Sequence, residues 1–193
     1  MTTYLLYGGK TSTSHHGVSN FFAQFTKLVN KDSVTILLCY FARERSTWQA
    51  LIERDSNLIK RNTNKEIVIL AAENPEDLFN KLEKSDVIYV AGGDAEPIEA
   101  LYEQLVNLKS KLSGKVFAGS SMGAFIVAES YVLSMSDQAE NEVHKGLGLL
   151  PIQVLCHWDK EGKQEKKLKI LQDYSSLLII ALNEYEFVTI YGT

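Results

Sequence analysis

The sequence predicts an α/β protein of three layers, a mostly parallel sheet with helices on both faces. Three observations predict it. Apolar runs such as "TYLLYG" (3–8), "SVTILLCYFA" (33–42) and "DVIYVAGG" (86–93) lack the polar alternation of a half-exposed strand. Amphipathic or polar segments of helical length separate them. Glycines or small residues close several of the runs, as tight turns at strand ends require.

The elements follow in order. Strand 3–8 stops at Gly8-Gly9, and residues 17–30 carry apolar positions at helical spacing. Strand 33–42 is followed by a polar helix over 45–63 and a third strand, "EIVILAA" (66–72). The segment 74–85 is a helix with Asn74 at its cap and Pro75 at its first position. Strand 86–93 leads to a helix over 96–112, then to strand "KVFAGS" (115–120) and a helix beginning in 121–130. Beyond residue 130 the alternation loosens. "GLLPIQVLCH" (148–157) reads as a strand, 163–173 as a helix, and "SLLIIAL" and "EFVTIYG" as two last strands.

Composition narrows the function. The 193 residues, 45% hydrophobic and 23% charged with three prolines and no linker, make one soluble domain spanning 1–193. A net charge of −4 excludes the basic face of a nucleic-acid binder. Lysines 160, 163, 166, 167 and 169 are interleaved with Glu161 and Glu165, the pattern of a solvated helix face. No apolar run reaches a membrane span, and the N-terminus has no basic region of a signal peptide. Two cysteines, Cys39 and Cys156, each end an apolar run, which places the chain in a reducing cytoplasm without a disulfide framework.

In such sheets ligands bind beyond the carboxyl ends of the strands. Those ends bring Gly8-Gly9, Phe41-Ala42, Gly92-Gly93-Asp94, Ser120-Ser121 and His157 to one edge. "GGKTS" (8–12) suggests a phosphate loop, but the motif needs glycine at position 4, which is tyrosine; it reads as a turn leaving the first strand that lines the pocket. "SHH" (14–16) reads as a helix cap at Ser14 with two loop histidines, since no carboxylate or cysteine completes a metal spacing. We therefore expect no metal and no organic cofactor.

"GSSMG" (119–123) fits G-x-S-x-G with Ser121 at the centre. The central residue of that pattern sits on a sharp strand-to-helix turn. The glycines allow the close approach, and the next amide, that of Met122, can donate to an oxyanion. An exposed amide of Gly92-Gly93 in "GGD" can supply a second donor, with Asp94 capping the following helix. His157 is the histidine at a strand's carboxyl end; His15, His16 and His144 are not. Asp137 lies in the polar loop between Ser121 and His157, where Glu140 and Glu142 compete for the same orienting role.

The segments "IYVAGGD" (88–94), "VFAGSSMGAF" (116–125) and "KGLGLLPIQVLCHWD" (145–159) resemble the peptidase E and cyanophycinase family of serine peptidases, family S51. Its fold is similar to the class I glutamine amidotransferase domain, a flavodoxin-like arrangement. "YLLYGG" and "ILLCYFA" fit the same plan, and the 36 residues from Ser121 to His157 match the family's spacing. The resemblance implies a cytoplasmic dipeptidase or exopeptidase with Ser121 as nucleophile and His157 as general base. Gly93 and Met122 supply the oxyanion amides, and Asp137 best matches the third member. It implies a small peptide substrate touching Gly92 and Asp94. Serine rather than cysteine at the nucleophile argues against glutaminase chemistry. The family usually has alanine where this chain has Met122. Where peptidase E carries an arginine segment tied to N-terminal aspartate, this chain has "EGKQEKKLK" (161–169), with Lys163 or Lys166 as substitutes. A non-catalytic binding module on the same scaffold, or an esterase or amidase of non-peptide substrates, would be the alternatives.

Overall fold

The structure is a computed structural model that describes residues 1–133, 142–159 and 164–192. The chain runs β1 (Thr2–Tyr7), α1 (His16–Lys27), β2 (Ser33–Cys39), α2 (Trp48–Arg61), β3 (Glu66–Ala71), α3 (Pro75–Leu82) and β4 (Val87–Val90). Three short helices follow, α4 (Ala95–Glu99), α5 (Tyr102–Leu105) and α6 (Leu108–Lys111), then β5 (Val116–Ser120) and α7 (Met122–Phe125). The last part comprises β6 (Ser130–Val132), β7 (Val143–Lys145), β8 (Ile152–Leu155), α8 (Gln164–Tyr174), β9 (Leu178–Ala181) and β10 (Phe187–Gly192).

Six strands form the main sheet in the order β10-β1-β5-β4-β2-β3. Five are parallel, and β10 adds antiparallel to the β1 edge, Tyr7 opposite Phe187. Side chains alternate across this sheet with the two-residue period of a strand. Tyr4, Leu6, Leu37, Cys39, Ile88, Val90 and Phe117 enter the core on one face. Leu5, Tyr7, Ile36, Leu38, Val87, Tyr89 and Ala118 enter the other, where Phe21, Phe22 and Phe25 of α1 close over them. Both faces being covered is why the strand sequences are apolar throughout. Each fully buried aromatic or aliphatic side chain here contributes roughly 1.5–3 kcal/mol.

The mostly parallel three-layer α/β fold follows the expectation. Three local features depart from it. Strands β6 to β9 do not extend the main sheet; they form a second sheet in the order β7-β6-β8-β9, with α8 packed over Val132 and Leu155 through Leu171, and β10 then returns to the main sheet. The expected helix over 96–112 is three pieces; at the first break the ladder tightens, the Leu101 amide bonding to the Ile98 carbonyl rather than to that of residue 97. Ile98, Leu105, Leu108 and Leu112 nevertheless all stay buried, so the apolar stripe survives the breaks. The cap of α1 is His15, whose Nδ1 accepts from the Gly17 amide at 3.1 Å, and not Ser14. Asn74 caps α3 as expected, accepting from the Asp77 amide at 2.9 Å.

Candidate active site

The site grows out of the end of β5. Ser121 follows the strand with φ 49° and ψ −109°, a left-handed conformation that a side-chain-bearing residue occupies only when its surroundings force it. The surroundings do so by close packing. A Cβ on Gly123 would lie 2.0 Å from the Val90 carbonyl oxygen, and one on Gly119 2.2 Å from the Gly123 oxygen. Only glycine allows the first turn of α7 to fold back against β4 and β5, and this fold-back lifts Ser121 above the sheet edge.

The two adjacent serines have separate tasks. Ser120 is 2% exposed. Its hydroxyl accepts from the Gly92 amide at 3.1 Å and lies 3.2 Å from the Tyr89 hydroxyl, so it ties the β4 turn to the elbow. The Ser121 hydroxyl points to the cleft, 3.0 Å from Nε2 of His157. His157 leaves β8 with φ 56°, and its amide donates to the Gly8 carbonyl at 3.3 Å. Its Nδ1 lies 2.8 Å from Oε1 of Glu184, a carboxylate whose side chain is 3% exposed. An imidazole whose Nδ1–H donates to that carboxylate leaves Nε2 as an acceptor for the serine O–H.

Glu184 sits in the turn between β9 and β10. Its amide donates to Asp159 Oδ1 at 2.9 Å, and its Oε2 is 3.0 Å from Nζ of Lys10. Among the described residues, the four non-glycines with positive φ are Lys10, Ser121, His157 and Tyr185, the first three at the site and the last next to Glu184. Strained backbone is thus confined to the segments that meet there, at a cost of order 1–3 kcal/mol each.

A cleft of about 490 Å³ opens over Ser121 and His157, its lining including Lys10, Arg43, Gly92, Gly93, Asp94 and Met122. Among the described residues, neither the Gly93 nor the Met122 amide has a protein acceptor, whereas the flanking Gly92 and Asp94 amides are occupied by Ser120 and the Ala42 carbonyl. Two free amides beside a serine suit a developing oxyanion. The Met122 side chain is absorbed by the core, 1% exposed, so the departure at this position does not fill the cleft. Asp94 is the N-terminal boundary of α4 but makes no side-chain cap bond, which leaves its carboxylate on the cleft.

Cys156 is no rival nucleophile: burial pushes its thiol far above the ordinary range, and its Sγ faces the Ser121 carbonyl at 3.8 Å. Among the described residues no group of three His, Cys, Asp or Glu side chains is placed to hold a metal ion. No helix among them is long and apolar enough to cross a membrane.

Ser121, His157, Gly92, Gly93, Asp94 and Met122 are therefore brought together, whereas Asp137, Glu140 and Lys163 lie outside the described residues. Glu142 is exposed before β7 and is not part of the cleft lining. Sequence reasoning did not single out Glu184, Lys10 or Arg43. A signal for Glu184 exists: it follows the apolar run of β9, and β9 is parallel to β8, so its carboxyl end meets the same edge as His157.

The sequence matches the model of peptidase family S51 over residues 4–193. No curated protein matches it. Solved structures share the fold, the following two among them. One, a "Putative Peptidase E Protein" from Listeria monocytogenes EGD-e, is 19% identical with TM-score 0.64 and covers 100% of both chains. The other, a peptidase from an acI-B1 Actinobacterium, is 18% identical with TM-score 0.60 over 98% of this chain and 83% of the other.

Proposed function

The chain belongs to peptidase family S51 and is a serine peptidase; we propose that it is an exopeptidase of short peptides, working through Ser121, His157 and Glu184. The observation that carries this reading is the unbroken line from Ser121 Oγ to His157 Nε2 at 3.0 Å and from His157 Nδ1 to Glu184 at 2.8 Å. We assign the orienting role to Glu184 rather than Asp137 because the Nδ1 nitrogen is already engaged by it.

Ser121 attacks the scissile carbonyl while His157 Nε2 takes its proton. The carbonyl oxygen, now anionic, is held by the Gly93 and Met122 amides. His157 returns the proton to the leaving amine, and water then releases the acyl group by the same steps in reverse. Glu184 fixes the imidazole tautomer and balances its transient charge. A cleft of about 490 Å³ suits a ligand of a few residues. Arg43 and Asp94 offer opposite charges for the carboxylate and ammonium of such a peptide. The two buried, unpaired cysteines support a reducing, cytoplasmic setting.

The test is hydrolysis of dipeptides and aminoacyl anilides beside short acyl esters by wild type and Ser121→Ala. Cleavage of the peptides and anilides, lost in the variant, is expected. Cleavage of the esters alone would replace the peptidase reading with an esterase.

A further inference from the structure

The run "GGK" at residues 8–10 reads as a failed phosphate loop, yet in the structure it is pressed against the catalytic histidine. Gly9 has φ 133°, and a Cβ there would lie 2.2 Å from His157 Cε1, so no other residue lets the chain run this close to the ring. The Gly8 carbonyl accepts from the His157 amide at 3.3 Å and the Gly9 carbonyl from the Tyr185 amide at 3.5 Å. The loop thereby clamps both the strand that delivers His157 and the turn that delivers Glu184. The next residue, Lys10, is held at φ 63° and lays its ammonium 3.0 Å from Glu184 Oε2, the oxygen that His157 does not use.

We propose that Lys10 is a positioning residue for the Ser121–His157–Glu184 chemistry. Its ammonium holds Oε2 so that Oε1 stays on the imidazole, and it offsets the carboxylate's charge so that Glu184 orients the ring without over-stabilising its protonated form. The carboxylate is nearly buried, whereas Lys10 is 42% exposed, so the cation reaches in from solvent to a charge that has left it. Among the described residues, groups near this pair include Tyr7, whose hydroxyl burial and the neighbouring Glu184 push upward, Tyr185, and Asp159 on the Glu184 amide. Arg43 and Asp94 line the same cleft. Lys10 is a cation in direct contact with Glu184.

The inference rests on the proposed function. Its test compares wild type, Lys10→Met and Lys10→Arg by the pH dependence of kcat/KM on a cleaved peptide and by NMR titration of the His157 ring. Removing a cation beside a carboxylate favours a protonated neighbour. In Lys10→Met the acidic limb and the ring's titration midpoint should both move up by about one pH unit. Activity should fall severalfold at neutral pH and recover at higher pH with KM unchanged, and Lys10→Arg should behave as wild type. A limb and midpoint that do not move in Lys10→Met would overturn the inference, as would a raised KM with kcat untouched, which would make Lys10 a substrate contact. If wild type cleaves no peptide, the proposed function fails on its own; the ring titration still decides Lys10, an upward midpoint supporting its role and a fixed one refuting it.

Discussion

Oε1 of Glu184 lies 2.8 Å from Nδ1 of His157, two residues from different turns joined across the open edge of the sheet, 27 positions apart. The contact exists because β10 adds to β1 and returns the β9–β10 turn to Gly8 and Gly9. Replacing Glu184 by Gln keeps the shape and removes the charge. The expected outcome is a fall in kcat of roughly 10²–10⁴-fold with little change in KM, whereas Asp137→Asn stays near wild type. Steady-state kinetics of both variants on one peptide checks it.

Ser120 and Ser121 should separate cleanly. Ser120→Ala removes a buried hydroxyl that serves the Gly92 amide and Tyr89. It should lower stability by about 1–3 kcal/mol in urea denaturation while the reactivity of Ser121 persists.

Met122→Ala installs the residue the family usually has. The Met122 side chain is 1% exposed in the core, so the loss should be about 2–5 kcal/mol of stability, with peptide hydrolysis retained because the amide remains. Thermal denaturation and a rate assay on the same sample measure both.

Arg43→Met should raise KM for short peptides about tenfold and leave kcat nearly unchanged, since the guanidinium lines the cleft without touching the reacting groups.

Acid stability has its own marker in Asp86. Burial raises its carboxyl, but the Lys31 ammonium and the Thr35 amide, which donates at 3.0 Å, outweigh burial and hold it below the usual range. A lowered folded value means stability that is present above the unfolded value near 4 and lost as pH falls through the folded one. Asp86→Asn should therefore be less stable than wild type at pH 7. The gap should close as the pH drops below about 4.

The parallel strands, the elbow at Ser121 and the histidine at the end of β8 are legible because each has a local signal: an unbroken apolar run, a glycine pair, a histidine at a strand end. The second sheet is not, since β6 and β7 are three residues each and too short to show a period. Glu184 escapes for another reason. Carboxylates in the turn "NEYE" are usually solvated, and only long-range pairing of β10 with β1 buries this one. The segment downstream of His157 points to Lys163 as the substrate cation, whereas Arg43 and Lys10 reach the cleft from the ends of β2 and β1, far away in sequence.

The proposed chemistry begins at Ser121, as the nucleophile. A fluorophosphonate applied to wild type, followed by mass mapping of the adduct, tests it most directly. One adduct is expected, on Ser121, absent from Ser121→Ala and slowed in Glu184→Gln. Equal labelling of Ser121→Ala, or an adduct on Ser120, would contradict it.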